Sequence, residues 1–414
     1  MDFCKSVCRR QGGLRAPSLF LAKTGWRDTS FADGNSKLEG DWLAMAFICT
    51  FAAQFAAEAA FAPPSLFDDT VSIFTNDGRR IAKIHLDQNQ PEPLLPMLSP
   101  NFDGATLLHG DGAALSTDDV GVPGSNIIVV PPTQTFMLPA VTVGQRQRLT
   151  HLTDRPDGVE LETISLSPRI LRARNFLSNE ECEELRRLGG PLLQDSALFV
   201  STDSTGSTSS QRRTSSTSWL GPNFGVACVG ATCVAEGENA VVRSVLDRAG
   251  LLVRRPPATA EGLQVVRYKP GEQYAYHTDY FTREQRASGQ IPMLGSGGDR
   301  FATLLLFLND ADSGLDEGGE TNFAFAGAGP HPSVEEVRSS GSDGLADCSK
   351  GLSVTPKRGD ALLFYNLLPS RSNVAHRTLG DNSTYHAGCA IIAGEKWVAN
   401  LWFWSHPPDP WPPA

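Results

Sequence analysis

The sequence predicts a mainly β protein with flanking helices, in which a large β domain follows a smaller β-rich module. Apolar, β-branched runs of strand length, such as 263–266 and 361–365, recur in the second half of the chain between turn residues. Between 63 and 162, short β-prone runs alternate with Gly, Pro and Asp turns. Apolar residues at helical spacing stand out near 178–189 and 238–249.

The composition is that of a soluble globular protein. The 414 residues are 40% hydrophobic and 20% charged, which gives room for one large or two ordinary domains. The net charge of -10, with no Lys/Arg cluster against it, argues against a nucleic-acid-binding surface. No feature indicates an oligomeric state. We divide the chain into a leader (1–62), a β-rich module (63–162), the large β domain (163–406) and a Pro-rich tail (407–414).

The leader contains a candidate targeting segment at 42–62. This segment is apolar and Ala-rich, and is long enough to enter a bilayer as a signal peptide or a signal anchor. A buried helix is the alternative, but Pro63-Pro64 follows at once and no amphipathic stripe is present. Residues 60–62 fit a small-x-small cleavage pattern. We expect the secretory pathway, in the endoplasmic reticulum or Golgi membrane or lumen; the alternative is a plastid, because 59–63 resembles the cleavage region of secondary-plastid presequences.

The β-rich module carries no recognisable chemistry. Its β-prone runs, at 71–74, 81–85, 126–130 and 135–143, predict a small all-β unit or an extension that leans on the main domain. Its histidines are isolated and are interpreted as ordinary polar residues; they are His85, His109 and His151.

Cysteine spacing leaves one pairing open. Cys228 and Cys233 flank a short Gly-containing loop, so they either bridge in an oxidising lumen or remain free thiols. No histidine or second cysteine pair lies nearby, which makes the spacing a poor match to a zinc site.

Two helices are expected to brace the sheet of the main domain. Ser178 and Glu181 form a capping box, and Gly189 ends the helix that follows. A second helix is predicted over 238–249, with its valines and leucines at helical spacing.

The stretch 263–281, LQVVRYKPGEQYAYHTDYF, contains a candidate metal motif. Its apolar run predicts a buried strand, and it turns at Pro270-Gly271 before reaching His277 and Asp279. Residues i and i+2 of a strand share a face, so these two side chains can reach one point. A lone His-x-Asp often arises by chance as a surface turn. With a second histidine, however, the pair would complete the facial triad that binds Fe(II) and leaves positions open.

Two downstream histidines compete for that third position. His376 lies in a polar, turn-prone stretch, whereas His386 opens an apolar strand, so His386 is the predicted ligand. Lys396 follows ten residues later, and an antiparallel strand can bring it beside the metal. There its ammonium can hold the distal carboxylate of a dicarboxylic 2-oxo acid. His331, between two prolines of the irregular insertion 324–351, is not expected to bind metal.

From about Pro168 to Trp404, more than half of its length, the chain resembles the catalytic domain of the prolyl 4-hydroxylases. These are Fe(II)- and 2-oxoglutarate-dependent dioxygenases with a double-stranded β-helix (jelly-roll) core. The matching segments, in the family's order, are PRILRARNFLSNEECEELRRL, RRTSSTSWL, LQVVRYKPGEQYAYHTDYF, RFATLLLFLND, GGETNF, PKRGDALLFYN and HAGCAIIAGEKWVANLWFW. By this resemblance iron is bound by His277, Asp279 and His386, and 2-oxoglutarate is bound by Lys396, Tyr268, Thr303 and the pocket-lining Trp402.

The resemblance also implies peptide contacts for Tyr274, Arg300 and Arg213. Strand packing is the alternative for Tyr274, and a surface salt bridge for Arg300. Arg213 lies within the Ser/Thr-rich run 201–218, which is either a flexible linker or, by the family match, ends in a strand beside the substrate groove. The polar, Gly-rich stretch 282–299 has the length of a functional lid.

The implied activity is hydroxylation of peptidyl proline to 4-hydroxyproline, with O₂ and 2-oxoglutarate consumed, succinate and CO₂ released, and ascorbate as reductant. Asp279 favours hydroxylation over halogenation, since related halogenases replace this carboxylate. Ala390 departs from the family, where proline is common after HAGC. Two alternatives stay open: a related dioxygenase that acts on another side chain or a small molecule, and a catalytically silent peptide-binding relative.

Overall fold

The computed structural model describes residues 69–87, 92–102, 104–132, 134–149, 151–152, 154–155, 158–196, 213–221, 239–282, 285, 298–310, 314–337, 346–369 and 380–405. The targeting segment 42–62, Cys228 and Cys233, His376, most of the expected lid and the Pro-rich tail lie outside these residues. Among the residues described, no helix combines the length and the apolar character needed to cross a membrane.

Nineteen strands and three α-helices lie wholly within the described part of the chain. The helices are α1 (Leu94–Leu98), α2 (Asn179–Gly189) and α3 (Ala240–Val253). The strands are β1 (Thr70–Thr75), β2 (Arg80–His85), β3 (Thr106–His109), β4 (Asn126–Val130), β5 (Arg146–Leu149), β6 (Val159–Leu166), β7 (Arg169–Arg174), β8 (Gln194–Asp195), β9 (Ser216–Leu220), β10 (Leu263–Tyr268), β11 (Tyr274–His277), β12 (Arg300–Phe307), β13 (Leu315–Gly318), β14 (Thr321–Phe323), β15 (Leu352–Val354), β16 (Ala361–Tyr365), β17 (His386–Gly388), β18 (Ile391–Gly394) and β19 (Lys396–Trp404).

Two facing sheets form the main domain. The large sheet has nine strands in the order β5-β6-β7-β16-β12-β19-β10-β9-β8, and the small sheet has four in the order β11-β17-β14-β15. A third, two-stranded sheet pairs β13 with β18. Buried side chains of both main sheets, among them Phe307, Phe364 and Phe323, belong to one hydrophobic cluster. The expected double-stranded β-helix is confirmed.

The other face of the large sheet packs against helices α2 and α3. Strand alternation separates the two faces: Leu304 and Leu306 join the helical residues Leu185 and Val245 in one cluster, whereas Leu305 lies in the cluster between the sheets. The expected capping box of α2 is confirmed. Helix α3 begins two residues later than expected and continues to Val253.

The N-terminal module forms its own sheet, in the order β2-β1-β4-β3, with β1 and β4 parallel. The strands expected at 71–74, 81–85 and 126–130 are confirmed. The prediction of a strand at 135–143 is wrong. The backbone of this segment forms hydrogen bonds with side chains; for example, Leu138 N donates to Tyr365 Oη at 2.8 Å. Strand β3 was missed, and β6, which crosses the boundary expected at residue 162, belongs to the large sheet.

A buried arginine joins this module to the large sheet. Arg169, at the start of β7, is 9% exposed. Its guanidinium donates to the carbonyls of Leu138 and Asn76, each at 3.0 Å. Both sheets lie within one compact unit, Leu66–Ala414.

The irregular insertion 324–351 is held against the small sheet. Residues 327–331 are exposed, as expected of a surface excursion, but Val337 is fully buried with Tyr276 and Ala387. A disulfide joins Cys348 to Cys389 across a sequence separation of 41 residues. This pairing was not anticipated. It ties the insertion to the chain just after β17.

Candidate active site

The three predicted metal ligands converge. Strands β11 and β17 are antiparallel neighbours, and their register places His277 directly opposite His386. One ligand atom from each of these histidines and from Asp279 lies within 4.8 Å of the others. The i, i+2 argument holds only in part, because β11 ends at His277 and Asp279 lies in the bend beyond it. The Asp279 carboxylate is therefore positioned by side-chain hydrogen bonds and not by the backbone pairing of β11.

Backbone carbonyls orient both imidazoles. His277 Nδ1 lies 2.9 Å from Ala275 O, and His386 Nδ1 lies 3.0 Å from Thr384 O. A carbonyl oxygen only accepts, so each Nδ1 carries the proton and each Nε2 is left with a lone pair. This is the arrangement by which outer hydrogen bonds fix histidine ligands.

The charges suit a divalent cation. Burial and the neighbouring His386 lower the pKa of His277 to about 3, so this imidazole is neutral at ordinary pH. Burial alone would raise the pKa of Asp279, but His386, His277 and Arg300 outweigh it and the pKa is lowered. The site thus offers imidazole nitrogens and one carboxylate, the donor set of a facial Fe(II) triad.

Thr303 lies at the metal ligands and not at Lys396. Its hydroxyl donates to Asp279 Oδ2 at 2.7 Å. The register explains the difference from expectation: Thr303 of β12 pairs with Trp402 of β19, whereas Lys396 lies six residues earlier on β19. At 3.3 Å per residue the two positions are roughly 20 Å apart along the strands. Trp402 is likewise at the Asp279 end of the site.

Lys396 is buried beside the small sheet. It is 3% exposed, and its Nζ donates to Thr321 Oγ1 at 3.3 Å. Thr321 pairs with Gly388 in β17, two residues from His386. Burial lowers the pKa of Lys396 to about 7, partly opposed by Glu320. A buried ammonium without a paired carboxylate is costly, so the arrangement favours an anionic ligand.

Tyr268 shares this end of the site. It pairs with Lys396 across β10 and β19, and the lysine Nζ lies 5.7 Å from its ring centroid. Its hydroxyl oxygen lies 3.6 Å from where a Cβ on Gly388 would be. Burial raises the pKa of Tyr268, so the phenol stays protonated and can donate.

Arg300 is engaged by the protein itself. Its Nε and a terminal nitrogen donate to the two carboxylate oxygens of Glu261 at 2.6 and 2.8 Å, and its guanidinium lies 3.7 Å from the Trp402 ring centroid. This salt bridge is buried, not on the surface, with Glu261 3% exposed. A peptide contact by Arg300 stays a prediction.

Arg213 and Tyr274 form a stack on the candidate metal ligand His277. The Tyr274 ring lies 3.7 Å from the His277 ring with an interplanar angle of 19°, and the Arg213 guanidinium lies 4.8 Å from the Tyr274 centroid. Arg213 also donates to Ser215 Oγ at 3.0 Å and Thr217 Oγ1 at 3.1 Å. The expected strand at the end of 201–218 is confirmed as β9. The peptide contacts of Arg213 and Tyr274 stay predictions.

Three residues of the site were missed in the sequence. Thr321 lies in the GGETNF segment, and its position at the start of a strand, one residue after a pair of glycines, was an available signal. Glu261 and Asn366, which donates to Thr303 Oγ1 at 2.9 Å, give no signal, because only the folded chain shows their partners.

Comparison with known proteins agrees with this geometry. The sequence model of the 2OG-Fe(II) oxygenase superfamily matches residues 263–404. Probable prolyl 4-hydroxylase 8 of Arabidopsis thaliana is 35% identical over 266 residues, covering 64% of this chain and 78% of that protein. Prolyl 4-hydroxylase 5 of the same plant is 36% identical over 247 residues, covering 59% and 72%.

Among solved structures, the 2OG complex of a viral collagen prolyl hydroxylase from Paramecium Bursaria Chlorella virus-1 is similar at 21% identity. The match covers 57% of this chain and 95% of that one, with a TM-score of 0.35, which is too low to establish the fold by itself. The two Arabidopsis proteins are more similar to this chain in sequence than this viral enzyme is. On their identity and coverage, the chain belongs to the prolyl 4-hydroxylase family of Fe(II)- and 2-oxoglutarate-dependent oxygenases.

Proposed function

We propose that the protein hydroxylates peptidyl proline to 4-hydroxyproline, with O₂ and 2-oxoglutarate consumed and succinate and CO₂ released. The observation that carries this proposal is the convergence of His277, Asp279 and His386 within 4.8 Å. His386 lies on β17, which also pairs with Thr321, and Thr321 accepts a hydrogen bond from the buried Lys396. Family membership supports the same reaction.

Each residue has a defined task in this proposal. His277, Asp279 and His386 would hold Fe(II), which supplies the oxidative chemistry when bound, with ascorbate as the expected reductant. Lys396 and Thr321 bind the distal carboxylate of 2-oxoglutarate, the ammonium by charge and the hydroxyl by a hydrogen bond. The Tyr268 phenol donates to the same ligand. Burial of these groups excludes water and strengthens their electrostatic hold.

The stack of Arg213, Tyr274 and His277 supports a peptide site on the open side of the triad. His277 is 18% exposed at its side chain, more than Asp279 or His386. Aromatic faces are the surfaces on which proline-rich, extended peptides dock. We therefore assign peptide contact to Tyr274 and Arg213. Arg300, bound to Glu261, shapes the wall formed by Trp402.

The reaction is tested with purified protein, Fe(II), ascorbate, 2-oxoglutarate and a proline-rich peptide. We expect peptide-dependent succinate release, and a mass gain of one oxygen that tandem mass spectrometry places on proline. His386→Ala is the inactive control. Oxygen on another side chain would favour the related-dioxygenase alternative, and no turnover with retained peptide affinity would favour a silent binding relative.

We propose, further, that the protein works in the secretory pathway, with 42–62 as a signal peptide or membrane anchor. The Cys348–Cys389 disulfide supports an oxidising compartment, because such bonds persist there and are rare in the cytosol. Fusion of residues 1–68 to a fluorescent protein tests the proposal. Co-localisation with endoplasmic reticulum or Golgi markers is expected, whereas plastid fluorescence would support the alternative; N-terminal sequencing shows whether 42–62 is retained.

A further inference from the structure

Asn366 contacts Thr303, which in turn contacts the proposed metal ligand Asp279. It follows β16, is fully buried, and donates from Nδ2 to Thr303 Oγ1 at 2.9 Å. Its backbone is fixed from both sides, because its N–H donates to Phe301 O at 2.9 Å and its carbonyl accepts from Asp381 N at 2.8 Å. Within the part of the chain that the structure describes, its Oδ1 has no hydrogen-bond partner.

The chemistry of a hydroxyl sets the direction of this chain of bonds. Thr303 has one hydroxyl hydrogen, which it donates to Asp279 Oδ2 at 2.7 Å. Its oxygen can then only accept, and the Asn366 amide supplies the donor. With the amide reversed, Oδ1 would compete with Asp279 for that single hydrogen. An unpaired buried acceptor is normally avoided, so its presence here indicates that the donor is needed at Thr303.

Asp279 needs such support more than its two partners do. The histidines are held by the β11–β17 ladder, whereas Asp279 lies beyond the end of β11. The bond from Thr303 occupies Oδ2, and Oδ1 lies 3.7 Å from His277 Nε2. The orientation of the carboxylate is therefore set from the large sheet, through β12 and the residue that follows β16.

We propose that Asn366 is a positioning residue for the iron site. Its amide fixes the Thr303 hydroxyl as a donor to Asp279, and so holds the carboxylate in one orientation for the metal. The proposal rests on the proposed Fe(II) site. Asn366 itself touches neither metal nor substrate.

The test measures metal binding and not turnover. Co(II) is titrated calorimetrically into apo wild-type protein, Thr303→Val, Asn366→Ala and the double variant, and the absorption of bound Co(II) is recorded. We expect each single change to weaken Co(II) binding about tenfold, the order found for outer hydrogen bonds of metal ligands. Because the two residues act in series, the double variant should bind no more weakly than Thr303→Val alone. Thr303→Ser keeps the hydroxyl and should retain wild-type affinity.

Asn76→Ala is the matched control, since Asn76 is a buried, hydrogen-bonded asparagine in the turn that follows β1. It should lower the melting temperature and leave Co(II) affinity unchanged. Wild-type affinity in Asn366→Ala, or additive losses in the double variant, would overturn the inference. If Asn366→Ala does not fold, Asn366→Ser, too short to reach Thr303, takes its place in the cycle. Absence of Co(II) binding by wild-type protein would instead refute the metal site itself.

Discussion

The ammonium of Lys396 lies where a carboxylate of the co-substrate is proposed to bind, and its charge depends on pH near neutrality. Burial lowers its pKa to about 7, and only the protonated form pairs with a carboxylate. As pH rises through 7, the free protein loses this charge. We expect the Kd for 2-oxoglutarate to rise up to about tenfold per pH unit above 7, as the proton must be taken up on binding.

Calorimetric titration of 2-oxoglutarate between pH 6 and 9 measures this dependence. Lys396→Arg is the matched control, because a guanidinium stays protonated throughout and should give a flatter profile, whatever its absolute affinity. Equal pH slopes for the two proteins would contradict the prediction.

The same burial makes Lys396 a cost to the fold. Its pKa is lower in the folded than in the unfolded chain, so the unfolded state binds more protons between these pKa values, and wild-type stability rises with pH across that interval. Lys396→Met removes the charge and fits a similar volume. We expect it to raise the melting temperature by at least about 2 °C at pH 6 and by less at pH 9. An unchanged melting temperature at pH 6 would show that the ammonium is not penalised.

Arg300 and Glu261 form a buried pair whose partners cannot be removed singly without cost. Arg300→Ala strands a carboxylate that is 3% exposed, and we expect a loss of about 3–5 kcal/mol in the free energy of unfolding. Urea denaturation measures it. The double variant Arg300→Met/Glu261→Gln should recover most of the loss, because glutamine carries no charge and keeps an acceptor for Trp404 Nε1, which donates to Glu261 Oε1 at 2.8 Å. A peptide role for Arg300 would then appear as a raised KM for peptide in this stable double variant.

The location of a site residue can be predicted from the sequence when its signal is local. His277, Asp279, His386 and Lys396 lie in two short motifs, and the structure brings them to one region. Thr303 was placed at the wrong end of the site, because strand pairing and not spacing decides its neighbour. Glu261 and Asn366 contact residues 39 and 63 positions away, which no local pattern encodes.

At the level of elements, the disulfide fixes the insertion 324–351 to the end of β17. A loop of 41 residues closed by a disulfide corresponds to about 3–4 kcal/mol of stabilisation through the unfolded state. We expect Cys348→Ser to lower the unfolding free energy by this amount, measured by urea denaturation.

Dithiothreitol should lower the melting temperature of the wild type and leave Cys348→Ser unaffected. Cys182→Ala is the matched control: Cys182 is a buried free thiol whose pKa burial raises to about 11, so its loss should keep the dithiothreitol response. A response that persists in Cys348→Ser would assign it to other cysteines.

Strands with continuous apolar runs were predicted well. Strands whose formation depends on a neighbouring strand were not. Residues 361–365 form β16 as expected, because five consecutive buried side chains leave little ambiguity. Residues 135–143 carry similar β propensity, yet they meet side chains and not a neighbouring strand. The β propensity of a residue reflects how well its side chain fits a pleated sheet. Residues 135–143 bond to side chains instead of to a neighbouring strand, so their propensity does not decide their structure.

At the scale of the whole molecule, Arg169 joins the N-terminal sheet to the main domain. Arg169→Met keeps the apolar stem but leaves the Leu138 and Asn76 carbonyls without this donor. We expect the wild type to unfold in one calorimetric transition, and the variant to lose about 2–4 kcal/mol or to show two transitions. Arg174→Met is the matched control on the same strand, because the Arg174 side chain is 36% exposed and its salt bridge to Glu162 should be worth less than about 1 kcal/mol. Two transitions in the wild type would contradict the prediction.

The jelly roll was predictable because its motifs recur in the family's order. The position of the N-terminal sheet was not, since its ties to the main domain join residues far apart in sequence. Arg169 and Arg254 donate to backbone carbonyls of the N-terminal module, and Phe74 and Val130 belong to the core cluster of the large sheet.

The strand register of β17 and the anchored insertion 324–351 differ in how well they tolerate added residues. This difference determines where homologues of this protein can vary in length. One residue gained within β17, between His386 and Gly388, would turn the imidazole to the opposite face of its strand. The insertion is closed at its base, where Gly351 N donates to Pro330 O at 2.9 Å, and it is tied again at Cys348. Val337 is a third anchor, because it is buried with Tyr276 and Ala387 beside the proposed iron ligands. Divergence in target preference is therefore expected to be recorded as variable length between Val337 and Cys348, beside an invariant spacing from His386 to Gly388.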